Sequence, residues 1–177
     1  MIIERDRPDC FSDFIRLNEV WITEHFEIEA MDRHLSEDPG RVLREGGHIF
    51  SATIDGIVVG VAALFRDGPD QFELARMAVE PAYRGRGIGR ALALAALQKA
   101  RDEGAIRVSL GSNTKLAPAI ALYRSLGFTV VREGAHPEYA RCNIVMALDP
   151  LRAVADAPPT NSWQKGAVLE ELRAEGT

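Results

Sequence analysis

Eight consecutive residues carry the strongest chemical signal in the chain: Tyr83-Arg84-Gly85-Arg86-Gly87-Ile88-Gly89-Arg90. Glycines at 85, 87 and 89 let the backbone approach a ligand closely and leave N–H groups uncovered where a helix begins. Such N–H groups, with the positive end of a helix dipole behind them, suit a phosphate or pyrophosphate. Arg84, Arg86 and Arg90 add positive charge at the same place. Two familiar phosphate loops do not fit. A P-loop ends in Gly-Lys followed by Ser or Thr, which this stretch does not contain. The dinucleotide fingerprint is Gly-x-Gly-x-x-Gly, whereas the spacing here is Gly-x-Gly-x-Gly.

The elements around this loop must place it between a strand and a helix. Gln71 to Val79 alternates as a strand, putting Phe72, Leu74 and Arg76 on one face and Glu73, Ala75, Met77 and Val79 on the other. Ile88 to Glu103 is rich in Ala and Leu and reads as a helix closed by Gly104. Upstream, Asp9 reads as the N-cap of a helix whose apolar positions run from Phe11 to Ile22. A second helix over Glu29 to Glu37 stops at Asp38-Pro39-Gly40. His48 to Ile54 and Ile57 to Phe65 are strands, and Asp55-Gly56 between them is a type I′ hairpin signal. Downstream come a strand over Ile106 to Leu110, a short helix over Pro118 to Leu126, and closing strands over Phe128 to Arg132 and Arg141 to Leu148. Met1 to Arg5 reads as an edge strand. Hairpins mixed with a βαβ crossover predict an α/β (α+β) domain over residues 1–149, its mixed, mostly antiparallel central sheet flanked by helices on both faces. Residues 150–177 read as an extension, with a linker at Asp156 to Thr160 and a terminal helix over Trp163 to Glu175.

Composition narrows the function. The 177 residues are 46% hydrophobic and 27% charged, an ordinary globular mix, with a net charge of −5. An acidic chain gains nothing from counterion release, so no nucleic-acid partner is expected. No apolar run approaches the roughly 20 residues that span a bilayer, and the charged N-terminus lacks the core of a signal peptide. The expectation is a cytoplasmic protein with no membrane partner. Cys10 and Cys142 read as reduced thiols, and His25, His34, His48 and His136 have no metal-ligand spacing, so no metal is expected.

The loop resembles the signature motif of the GNAT superfamily of N-acetyltransferases, Arg/Gln-x-x-Gly-x-Gly/Ala, matched by Arg84, Gly87 and Gly89. Glu73 to Pro81 resembles the strand before that motif. Pro118-Ala119-Ile120-Ala121-Leu122-Tyr123, running on to Gly127-Phe128, is similar to the superfamily's other signature helix. Trp21-Ile22, Gly46 to Phe50, Ser112 to Leu116 and Tyr139 to Asn143 resemble one branch of the superfamily. The resemblance covers roughly residues 2–148.

What the resemblance implies is acetyl transfer from acetyl-CoA to a primary amine within a ternary complex. Backbone groups of Met77, Ala78 and Val79 would bind the pantetheine arm, and a strand N–H would face the thioester oxygen. Arg84, Gly85, Arg86, Gly87, Ile88, Gly89 and Arg90 would take the pyrophosphate. Glu73 stands where relatives carry a general base, and Tyr123 where the family's tyrosine protonates the leaving thiolate. One departure stands out. The family often writes Asn-x-x-Ala-Ile-x-Leu-Tyr, which would put Asn at Leu116; Asn113, three residues earlier, takes that place in a longer loop.

On the acceptor side, Trp21, Phe26 and His34 fall in the helical region that caps the acceptor site in such folds. Arg141, at the start of an expected strand, offers a guanidinium to a substrate carboxylate. Glu24, Glu27 and Glu29 form an acidic cluster or simply a solvated helix face. The expected acceptor is a small-molecule amine such as an amino acid or its derivative, with a protein amine as runner-up and a homodimer expected from the family. Two other classes stay open: an acyl-CoA-binding module without turnover, and a nucleotide-binding protein unrelated to CoA.

Overall fold

The computed structural model describes residues 1–136 and 139–151; the linker and terminal helix expected beyond residue 155 lie outside the described residues. One seven-stranded sheet runs in the order β1-β2-β3-β4-β5-β7-β6. Its strands are β1 Ile2–Arg5, β2 His48–Ile54, β3 Ile57–Arg66, β4 Gln71–Val79, β5 Arg107–Ser112, β6 Thr129–Glu133 and β7 Ile144–Leu148. The helices are α1 Phe11–His25, α2 Ala30–Glu37, α3 Arg41–Arg44, α4 Ile88–Asp102 and α5 Ala117–Ser125. Every neighbouring pair is antiparallel except β4 and β5, which are parallel.

Helices cover both faces, as the sequence predicts. On one face Leu92 and Leu97 of α4 and Ile120 of α5 pack on Phe50, Phe72 and Leu110. On the other, Phe14 and Leu17 of α1 and Val42 of α3 pack on Ile49, Val61 and Ala63. Removing a buried leucine such as Leu92 costs about 2–5 kcal/mol in transfer and cavity terms. Local chemistry explains the joints. Asp55 and Gly56 take φ of 50° and 80°, the paired positive values a type I′ turn requires. Gly60 matters for packing: a Cβ there would lie 2.7 Å from Ile88 Cγ2, so the start of α4 sits hard against β3.

Four expectations need correction. Asp9 does not cap α1; a 3₁₀ turn over Pro8–Cys10 leads straight into the helix, and the Asp9 carboxylate takes the Arg7 guanidinium at 2.9 and 2.5 Å. α2 does stop at Asp38-Pro39-Gly40, but the stretch from there to His48, read without a helix, holds one further helical turn, α3. The last strand begins at Ile144, so Arg141 lies in the turn before it. The fourth concerns β4. Ala63 pairs with Ala75 but Val61 pairs with Ala78, so three steps on β4 match two on β3. That is a β-bulge, and Arg76 sits in it with φ of 54°. The bulge reverses the alternation. Phe72 and Leu74 share the α4 face with Met77 and Val79, while Ala78 joins the α1 face. Glu73 and Ala75 stand opposite Phe65 and Ala63 on that α1 face.

Candidate active site

The bulge opens the sheet at its centre. β4 and β5 pair at Gln71↔Arg107, Phe72↔Val108 and Glu73↔Ser109, and the pairing ends there. Beyond it the strands part, and a cavity of about 430 Å³ occupies the gap. Glu73, Ala75 and Phe65 line it from the α1 face, and Met77, Leu122 and Tyr123 from the α4 face. The cavity therefore passes through the plane of the sheet. Peptide groups of the parted stretch have no neighbouring strand on that side and are open to a ligand's amides.

At one end stands α4. Its N-cap is Gly87 with φ of 75°, a left-handed conformation that favours glycine, and no side chain caps the helix. The first intrahelical bond is Ala91 N–H to the Gly87 carbonyl at 3.0 Å, so the N–H groups of Ile88, Gly89 and Arg90 precede the helix's own ladder. Gly85, with φ of 76°, has open space where a Cβ would project. The first turn of α4 carries Arg90 and no acidic residue. Positive charge at a helix N-terminus is unfavourable on its own and becomes favourable once an anion sits between them. These features fit a pyrophosphate. The arginines divide their work: Arg84 grips Glu24 of α1 at 2.9 and 2.5 Å and the Val79 carbonyl at 3.2 Å, Arg86 lies over the Tyr83 ring at 5.0 Å, and Arg90 reaches Ser125 Oγ at 3.2 Å.

Tyr123 sits on α5 facing the cavity, its ring edge-on to Phe128. Burial pushes its phenol up to about 12, so it holds its proton at neutral pH. Cys142 also lines the cavity; burial first, and then the charge of Glu73, push its thiol up. Cys10 is a free, buried thiol too.

The far end is built from side chains. Trp21 and Phe26 stack obliquely at 5.9 Å and line the cavity with the exposed His34. Asn113 is a wall residue whose amide donates to the Arg141 carbonyl at 2.8 Å and accepts from the Lys115 N–H at 3.0 Å. Arg141 lines the cavity, but its guanidinium is clamped on Asp32, both contacts at 2.6 Å. Of the acidic cluster, Glu24 holds Arg84, and Glu29 caps α2 while reaching Arg141 at 3.3 Å.

Sequence reasoning missed Asp32 and Arg76. Asp32 accepts hydrogen bonds from Arg141, from Arg76 and from the Glu29 N–H. Burial alone would raise its carboxyl, but the arginines outweigh burial and hold it at about 2. Both residues left a signal: Asp32 stands three after Glu29, the spacing of a capping box, and Arg76 is a charge expected on the same face as Phe72 and Leu74. Among the described residues no set of three His, Cys, Asp or Glu side chains converges to hold a metal, and no helix is long and apolar enough to cross a membrane.

Comparison with known proteins places the chain in a family. The model of the acetyltransferase (GNAT) family matches residues 7–128. An uncharacterised N-acetyltransferase of Mycobacterium tuberculosis is 39% identical over 95 residues, 51% of this chain and 61% of that protein. The N-alpha-acetyltransferase RimI of the same organism is 41% identical over 97 residues, 53% of this chain and 58% of that one. The matches thus span under two thirds of these relatives' own lengths. A Salmonella typhimurium structure holding its cofactor acetyl-CoA superposes with a TM-score of 0.67 at 24% identity, covering 90% of this chain and 98% of that one.

Proposed function

The chain belongs to the acetyltransferase (GNAT) family, and from that premise we propose that it moves an acetyl group from acetyl-CoA to the primary amine of a small metabolite. The observation that carries the reading is the cavity through the sheet, with Glu73 on one side of the parted strands and Tyr123 on the other. When bound, acetyl-CoA supplies an acetyl group activated as a thioester. The N–H groups of Ile88, Gly89 and Arg90, with Arg86 and Arg90, hold the pyrophosphate. Arg84 contributes by fixing the loop to α1, and Met77, Ala78 and Val79 orient the pantetheine arm through their peptide groups. Glu73 takes a proton from the acceptor's ammonium, directly or through a water, and a proton at Tyr123 Oη is available to the leaving sulfur.

A small acceptor is favoured by the enclosure of the far end. Glu29, the N-cap of α2, and Asp32 within it bond to Ala140 and Arg141, and so hold the cavity-lining Arg141 against α2. With Arg141 so engaged, recognition of an acceptor carboxylate falls to its remaining N–H groups, while Trp21, Phe26 and His34 face the rest of the acceptor. The second reading, acetylation of a peptide N-terminus, is supported by the likeness to RimI.

The test is CoA release from acetyl-CoA over amines, amino acids and short peptides, against a blank without acceptor. Release with a small amine, lost in Tyr123→Phe, is the expected result. Acetyl-CoA binding with no release for any acceptor would favour the non-catalytic module, and no binding of acetyl-CoA would end the reading.

A further inference from the structure

We infer that Asp32 is a positioning residue that ties the 139–143 segment and the β4 bulge to α2, and thereby fixes an acceptor pocket that admits a small amine over a peptide. Its substrate class rests on the acetyl-transfer reading; the tie itself does not.

Asp32 is 4% exposed, yet it is not placed to meet a ligand. Oδ1 accepts from Arg141 Nη2 at 2.6 Å and from Arg76 Nη1; Oδ2 accepts from Arg141 Nη1 at 2.6 Å and from the Glu29 N–H at 2.8 Å. Four donors saturate the carboxylate. Its two arginine partners are distant in sequence and each controls a different part of the cavity. Arg141 belongs to the segment facing α2, which Glu29 also reaches through the Ala140 N–H at 3.3 Å. Arg76 is the bulged residue of β4, held in a left-handed conformation that disfavours a side-chain-bearing residue and needs an outside hold. The next peptide, at Met77, lies where β4 and β5 have parted. Arg141 therefore sets the width of the pocket, and Arg76 sets the direction of the main chain at the parting. With Arg141 held against α2, the wall it forms stays closed, which favours a small amine over an extended peptide.

Two equally buried thiols allow a test without turnover. Cys142 lines the cavity and Cys10 sits in the core beneath α1, each 8% exposed. Alkylation by iodoacetamide, read site by site by peptide mass mapping, would be compared in the unaltered chain, Asp32→Asn and Arg141→Gln. Local opening raises the rate at Cys142 by about tenfold or more beyond any change at Cys10, which reports the loss of global stability. If both thiols speed up by the same factor, Asp32 is only a general stabiliser and the inference fails; if neither does, the tie holds nothing and it fails too. The kinetic arm uses a small amine and an alanyl tetrapeptide. Arg141→Gln raises KM for the amine and improves the tetrapeptide relative to it, whereas Arg76→Gln lowers kcat with KM nearly held. Equal losses in kcat and KM for both variants, or an unaltered ratio of acceptors, overturn the selectivity. Should the unaltered chain acetylate neither acceptor, the transfer reading falls and the selectivity with it, while the thiol rates still decide the tie.

Discussion

The two ends of the cavity are built by opposite means. The α4 end is main chain: N–H groups of three consecutive residues at the head of the helix, shaped by Gly85 and Gly87. The far end is side chain: Asp32 meets Arg141 across 109 positions and Arg76 across 44. A main-chain site is specified by a few glycines and a helix start. A side-chain site needs each charge to find its partner, and losing one leaves the other buried and uncompensated. The first should bend under mutation and the second should break.

The largest expected effect is at the chemistry between them. Tyr123→Phe should lower kcat by about 100-fold or more, the range of a lost proton donor, with acetyl-CoA affinity by calorimetry unchanged. Retained kcat would mean that the phenol only packs on Phe128. Next is the ion triad. The folded Asp32 carboxyl titrates at about 2 against an ordinary 3.8, so its stabilisation is full above about pH 4 and is lost as pH falls toward 2. Denaturant titrations of the unaltered chain at pH 6 and pH 2 should lose about 2 kcal/mol from this group, a loss absent in Asp32→Asn. At the other end, Gly87→Val forces a β-branched residue into left-handed backbone, at a cost of about 1–3 kcal/mol. Acetyl-CoA should bind roughly tenfold more weakly, while Glu73 and Tyr123 stay in place. Smallest is Arg86→Ala. The peptide donors remain, so affinity should fall only severalfold, by about 1 kcal/mol, and less at high salt. A loss larger than that of Gly87→Val would invert the contrast between the two ends.

The same contrast explains what could be read beforehand. The loop, the helix behind it and the hairpin at Asp55-Gly56 are local in sequence, and their glycines and periodicities are legible. The mixed sheet followed from the order of those elements. The faces of β4 did not, because alternation assumes an unbroken register and the bulge at Arg76 breaks it. The place of Arg141 beside the cavity was foreseeable, but its partner on α2 was not, since nothing local links positions 32 and 141. Arg76 was the available clue, a charge on a face expected to be apolar.

The parting of β4 and β5 has a consequence for how such a protein tolerates drift. Every residue type except proline supplies the same N–H, and all supply the same C=O. Substitutions along the parted stretch can therefore accumulate while the receptor persists, as long as the backbone keeps its course. Chains agreeing at 24% of positions can still superpose over 90% of this one. What selection can most readily rewrite is the opposite wall, which is built from single side chains.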